Sequence, residues 1–138
     1  MRYKKNNVEV IDGYMLNLTE PYEDDGQKIC IYGETLREIA DKAPAEMARL
    51  RSQIAAYLYR VAWIVWDGRI VVMEENPADD KVCMKLLTET RASEAYRKAV
   101  AERDVRDRQY AEKRKAEAAQ DARLIRMRTY EELKKEFS

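Results

Sequence analysis

The sequence predicts an α+β fold: a small antiparallel sheet, built of a meander and a hairpin, packed with two short helices and followed by a long charged C-terminal helix. Three observations carry that expectation. Asp-Gly pairs punctuate the first half at Asp12-Gly13, Asp25-Gly26 and Asp67-Gly68. Asp-Gly beside apolar runs is a strong hairpin signal, because a type I′ turn needs two residues that tolerate positive φ. From Asp79 to Phe137 there is neither Gly nor Pro, and from Arg91 to Gln120 the chain is mostly Ala, Glu, Lys, Arg, Asp and Gln, a composition of helix formers. Between these regions, Thr35-Leu36-Arg37-Glu38 has the spacing of a capping box.

Taken in order, the first pair joins the run from Val8 to Ile11 to the run from Tyr14 to Leu18, and Lys28 to Tyr32 supplies a third strand. Pro21 and the acidic Glu23-Asp24-Asp25 suit the loop before it. Gly33 ends that strand and Thr35 caps a short helix expected to reach Lys42. Pro44 suits the first turn of a second helix, whose Met47, Leu50, Ile54 and Leu58 form one apolar face. The stretch from Tyr57 to Trp66 reads either as a continuation of that helix or as a strand. Its β-branched and aromatic content favours a strand running into Asp67-Gly68 and Arg69 to Met73. A two-residue turn then sets Trp66 opposite Arg69, Ile64 opposite Val71, Trp63 opposite Val72 and Arg60 opposite Glu75. Both hairpin faces are apolar, and one of them, bearing Trp63, Val65, Ile70 and Val72, is a candidate contact surface. Core packing competes as the role of Trp63 and Trp66.

Asn76-Pro77 closes the strand, and Asp79 or Asp80 caps the long helix. This divides the chain into a compact head, residues 1–77, and a helical extension, residues 78–138. Unbroken to Met127, the helix is about 70 Å long, which exceeds a head of radius about 11 Å. Thr129-Tyr130-Glu131-Glu132 is a second capping box, so a short final helix is expected from about residue 130.

Two faces of the long helix stand out. A thin seam runs through Val82, Leu86, Ser93, Val100, Ala111, Ala118, Ala122 and Ile125, with a step of eleven between Val100 and Ala111. Such a step is a stutter that unwinds a coiled coil locally. The seam suits a second helix, in a homo-oligomer with a dimer favoured, or in a larger protein or nucleoprotein assembly. The competing roles are an isolated charged helix held by its own ion pairs, or one folded back on the head. The other face carries Tyr96, Arg103, Arg106, Tyr110 and Arg114, a basic and aromatic pattern that suits nucleic acid, although Glu112, Glu117 and Asp121 dilute it.

The 138 residues are 46% hydrophobic and 38% charged, against an ordinary charged fraction of about a quarter. Net charge is zero, yet residues 1–80 hold 10 Lys and Arg against 15 Asp and Glu, while residues 81–138 hold 16 against 11. An acidic head and a basic tail attract each other or oppositely charged partners. The two cysteines, Cys30 and Cys83, lack CxxC spacing and are expected as buried free thiols in a reducing compartment. The absence of histidine removes imidazole acid–base chemistry and every His-containing metal site. No phosphate-binding, dinucleotide-binding or nucleophile-elbow motif occurs. Glu23-Asp24-Asp25, Glu74-Glu75 and Asp79-Asp80 lack the spacing of a calcium loop and read as loop, strand-end and cap chemistry.

Neither a cofactor nor a metal is expected, and no membrane segment: the first residues lack an apolar run, and the stretch from Tyr57 to Trp66 is too short to span a bilayer. The expectation is a cytoplasmic, non-enzymatic protein-interaction factor with an accessory, assembly or inhibitory role, of the kind that phages and other mobile elements supply. The alternative is a nucleic-acid-binding accessory protein using the Arg/Tyr stripe.

Overall fold

The computed structural model describes residues 1–21, 26–50 and 54–137. Its element order is β1 (Arg2–Lys5), β2 (Val8–Thr19), β3 (Lys28–Gly33), α1 (Leu36–Arg49), β4 (Ala55–Trp66), β5 (Arg69–Pro77), α2 (Asp80–Ala92) and α3 (Glu94–Glu136). The fold is α+β, a five-stranded antiparallel sheet with two short helices and a long C-terminal helix. The chain forms two compact units, Met1–Val100 and Ala101–Ser138. The first boundary therefore falls after Val100 rather than at Pro77, because α2 contributes Cys83, Leu86 and Leu87 to the core of the first unit.

Strand β2 is the centre of the sheet. Along one edge it pairs with β4 from Ile11↔Trp63 to Thr19↔Ala55. Along the other it pairs first with β1, Arg2↔Ile11 to Lys5↔Val8, and then with β3, Tyr14↔Gly33 to Thr19↔Lys28. The turn that starts the sheet is Asn6-Asn7, with φ of 52° and 66°, and not the expected Asp12-Gly13. Asn tolerates the left-handed region because its short side chain bonds its own backbone. Asp12-Gly13 lies inside β2, where Gly13 serves close packing. A Cβ there would collide with the Gly33 carbonyl oxygen and the Trp63 ring. Glycine inside a strand marks this kind of close approach. Asp67-Gly68 is the expected two-residue turn, with φ of 51° and 72°.

The β4–β5 hairpin keeps the expected pairs Trp66↔Arg69, Ile64↔Val71 and Trp63↔Val72. A bulge between Ala62 and Trp63 then shifts the register, so Arg60 meets Asn76 and Val61 meets Glu75. β4 also begins earlier than expected, at Ala55, so Tyr57 and Leu58 are strand and not helix.

Helix α1 is one helix with Pro44 inside it, where two had been expected. Proline cannot donate to the Ala40 carbonyl, a local cost. Ile39, Ala43, Pro44, Met47 and Ala48 are all buried along one side, and burial on both sides of the proline holds the segment in one helix. Thr35 caps it as expected: its Oγ1 accepts from the Glu38 N–H at 3.3 Å. The Glu38 carboxylate reaches one residue further back than a capping box requires, accepting from the Glu34 N–H at 2.9 Å. Of the expected second-helix stripe, Met47 belongs to α1, Leu50 is its C-cap and Leu58 lies in β4. All three are buried, and Ile54 packs against the same cluster.

The helical region breaks at Ser93 and not at Thr129. Asp79 caps α2, its carboxylate accepting from the Lys81 N–H at 2.9 Å. Ser93 then serves two helices at once. Its hydroxyl donates to the Thr90 carbonyl at 2.6 Å, closing α2, and accepts from the Tyr96 N–H at 3.2 Å, opening α3. Thr129 instead turns its hydroxyl onto the Ile125 carbonyl at 3.0 Å, and α3 runs on to Glu136. A capping hydroxyl frees a helix start only where the backbone leaves helical geometry. Inside a continuous helix it bonds back to the residue four before it.

The larger core cluster lies on the side of the sheet that carries the helices. Leu16, Leu18, Ile31 and Leu58 from the strands meet Ile39, Ala43 and Met47 of α1 and Leu86 and Leu87 of α2. The buried Thr90 hydroxyl is satisfied by the Leu86 carbonyl at 2.7 Å.

Candidate functional site

Strand alternation sends the other half of the sheet residues to the side away from α1 and α2. There a second cluster forms around Met15, Val61 and Trp63, with Ile11, Tyr32, Tyr59 and Val72 packed against it. Every member is a strand residue. Trp63 is only 5% exposed because it sits over Gly13 and beside Tyr32, the two rings 6.0 Å apart and tilted by 56°. The tip of the same surface is uncovered, with Val65 and Ile70 60% and 40% exposed, and Tyr57, paired with Asn17 at the far end of β4, is 55% exposed. On the opposite side of the hairpin tip, Trp66, Val71 and Met73 are exposed as well. Met73 is the residue that the bulge leaves unpaired.

The expected hairpin face is thus split in role. Trp63 is buried and Val72 half-buried as its floor, while Val65 and Ile70 are presented outward. Cys30 shares that side. It is exposed, contrary to the expectation of a buried thiol, because Ile29 and Ile31 take the core positions on either side of it. Cys83 is buried, and burial together with the neighbouring Asp80 charge pushes its thiol up, against a small opposing effect of a backbone hydrogen bond. The Tyr32 hydroxyl is likewise pushed up, first by burial and then by Cys30 and Glu75.

At the border of this surface, a groove of about 450 Å³ runs between β3 and α1. Cys30, Tyr32, Trp63 and Ile70 line it on the strand side, and Glu34, Glu38, Lys42 and Glu46 on the helix side. Lys42 donates to the Tyr32 carbonyl at 2.8 Å. Arg2 meets Glu34 at 2.8 Å and Arg49 meets Glu46 at 3.4 Å. A second cleft, of about 340 Å³, lies across the sheet among Asp12, Tyr14, Glu34, Arg60, Glu74 and Asn76. Its carboxylates are engaged: Glu34 by Arg2, Glu74 by Lys5 at 3.4 Å and Asp12 by the Tyr3 hydroxyl. Among the described residues no group of three or more Cys, Asp or Glu is placed to hold a metal ion. Glu23, Asp24 and Asp25 lie outside them. No described helix is long and apolar enough to cross a membrane.

The helix seam is divided by Ser93. Val82 and Leu86 belong to α2, and Leu86, 8% exposed, is committed to the core of its own unit. Val100, Ala111, Ala118, Ala122 and Ile125 lie on α3, where the last four are exposed. The basic stripe is divided too. Tyr96 packs against the core, and Arg103 donates to the Asp104 carboxylate at 3.1 Å. Arg106, Tyr110 and Arg114 remain outward, with the Arg114 guanidinium 5.6 Å from the centre of the Tyr110 ring.

Sequence reasoning passed over one surface altogether, at the end of α3. Met127, Tyr130, Leu133 and Phe137 are all exposed there, with Arg123, Arg126 and Lys134 between them. The expected break at Thr129 had cut this pattern in two. Read through Thr129 at a helical period, the positions 123, 126, 127, 130, 134 and 137 fall together.

Compared with protein-family models, with curated proteins and with solved structures, the chain matches none.

Proposed function

We propose that this protein is a non-enzymatic interaction factor that binds another protein through the uncovered side of its sheet. One observation carries the reading: an apolar cluster made only of strand residues, with Tyr57, Val65 and Ile70 exposed at its edge. The centre of the cluster is buried, and it is Val65 and Ile70 at one end and Tyr57 at the other that stand in water; exposed apolar groups beside such a cluster mark interaction sites. The bulge supports it, since β-bulges re-aim side chains near functional surfaces. The role that follows is accessory, assembly or inhibitory, as occupation of a partner's surface by a rigid sheet face provides.

The test is photo-crosslinking in the source cell from a probe placed at Arg69, beside the hairpin tip. A partner captured by the wild type and lost on Val65→Asp with Ile70→Asp supports the reading, provided Arg106→Glu with Arg114→Glu retains it. Capture unaffected by the sheet variant overturns it. A second reading, contact with nucleic acid, draws on the outward Arg106, Tyr110 and Arg114. It predicts a complex that weakens steeply with salt and disappears in the Arg106→Glu, Arg114→Glu variant. No retardation of nucleic acid at low salt ends that reading.

A further inference from the structure

Resting on the protein-interaction reading above, we infer that the sheet-side groove of one copy of this protein receives the C-terminal end of α3 from a second copy. The helix end is a docking face by its own pattern. At 100° per residue, Arg123, Arg126, Met127, Tyr130, Lys134 and Phe137 fall within a sector of about 100°. Of the carboxylates of that half of the helix, Glu117, Asp121, Glu132 and Glu136 lie well outside the sector, and Glu131 borders it beside Met127 and Tyr130, so the face stays basic with three cations to one carboxylate. The apolar members are strongly exposed, Tyr130 at 67% and Phe137 at 86%. A helix laid into a groove is recognised by apolar anchors at this spacing.

The groove has the complementary chemistry. Its floor is Cys30, Tyr32, Trp63 and Ile70, apolar and aromatic, and its wall presents Glu34, Glu38 and Glu46 against Lys42. Lys42 is already bonded to the Tyr32 carbonyl, and Glu38, which accepts from the Glu34 N–H, has no basic partner among the ion pairs of the described residues. In the pairs Arg2–Glu34 and Arg49–Glu46 the arginines are exposed and the glutamates half-buried, so exchanging the arginines for Arg126 or Lys134 of a second copy costs little. The uneven charge of the chain, acidic before residue 80 and basic after it, has the same sense. Opposed potentials of this kind set orientation and speed of encounter. Because groove and helix end occur in every copy, a second copy always supplies the missing half.

The experiment measures mass by light scattering and sedimentation over a range of concentration and salt. The wild type is expected to form a dimer or larger assembly that dissociates as salt rises. A helix-end variant, Tyr130→Glu with Phe137→Glu, and a groove variant, Ile70→Arg with Glu38→Lys, are each expected to be monomeric with unchanged far-ultraviolet circular dichroism. Mixing the two variants restores a complex, since each keeps the half the other lacks, and Cys30 becomes slower to react with a thiol reagent in the mixture. Ala111→Glu with Ala118→Glu leaves the assembly intact. A wild type that stays monomeric throughout overturns the inference, as does a mixture that stays monomeric. So does an assembly dissolved by the Ala111, Ala118 variant and not by the helix-end variant, which places the interface on the Ala seam. In each of those cases, crosslinked capture that still depends on Val65 and Ile70 leaves the broader interaction reading standing, and its loss removes that reading separately.

Discussion

Gly13 is a position in the sheet where no side chain fits. Its neighbours on two strands, the Gly33 carbonyl and the Trp63 ring, occupy the space a side chain would need. The carbonyl belongs to a paired strand and cannot withdraw without breaking the ladder between β2 and β3. Gly13→Ala is therefore expected to cost about 1–3 kcal/mol, the range for overpacking, seen as a lower urea midpoint with unchanged secondary structure. An unchanged midpoint would show that Trp63 moves aside freely. Gly68 needs its glycine for a different reason: nothing lies within 4 Å of a Cβ there, but its φ of 72° is left-handed. Two identical dipeptides, Asp12-Gly13 and Asp67-Gly68, thus do unrelated work. The first is a close approach and the second a turn. Local sequence does not separate them, because the atoms that crowd Gly13 come from residues 33 and 63.

Among the elements, the joint at Ser93 controls how the helical region is divided. One hydroxyl both donates to the end of α2 and accepts at the start of α3. Ser93→Ala removes both bonds at once, and a lost N-cap costs about 1 kcal/mol. The expected result is a lower urea midpoint together with faster amide exchange at Tyr96, where the freed N–H lies. Equal exchange in the two proteins would mean that the backbone bonds alone, Ser93 N–H to the Thr90 carbonyl and Arg97 N–H to the Ser93 carbonyl, hold the joint. Ser93-Glu94-Ala95-Tyr96 lacks the Glu or Gln three residues on that marks a capping box, while Thr129-Tyr130-Glu131-Glu132 has it and the structure does not use it. Helix α1 shows the converse, a proline that the sequence marks as a boundary and that burial on both sides overrides. The hairpin lay between these cases. Its turn and first four pairs follow from Asp67-Gly68, while the bulge that moved Arg60 from Glu75 to Asn76 has no local signature.

For the whole molecule, all residues of both apolar clusters come from the first unit, the last of them being Tyr96. The second unit has no buried residue on its helix. A chain ended after Val100 is therefore expected to unfold cooperatively with a urea midpoint close to that of the full chain. A large drop, or loss of cooperativity, would show that residues 101–138 contribute to folding as well as to recognition. The two surfaces offered for recognition differ in how far they could be read beforehand. Val65 and Ile70 were legible on the hairpin from alternation and composition. The basic and apolar sector at the end of α3 was not, because its membership depends on the helix continuing through Thr129.

By itself, the sequence determined the α+β class, the Asp67-Gly68 hairpin, the Thr35 cap, a cap at Asp79 or Asp80, and a long charged helix after it. These depend on neighbours within a few residues, through φ preference, hydrogen-bonding side chains and periodicity. Tertiary structure alone decided that β2 runs straight through Asp12-Gly13, that β1 and β3 share one of its edges, that Pro44 stays helical and that Leu86 belongs to the core. It also decided which side of the sheet the helices cover. Each of these is a competition between a local preference of about a kilocalorie and the burial of several large side chains, worth about 1.5–3 kcal/mol apiece, and the larger sum wins.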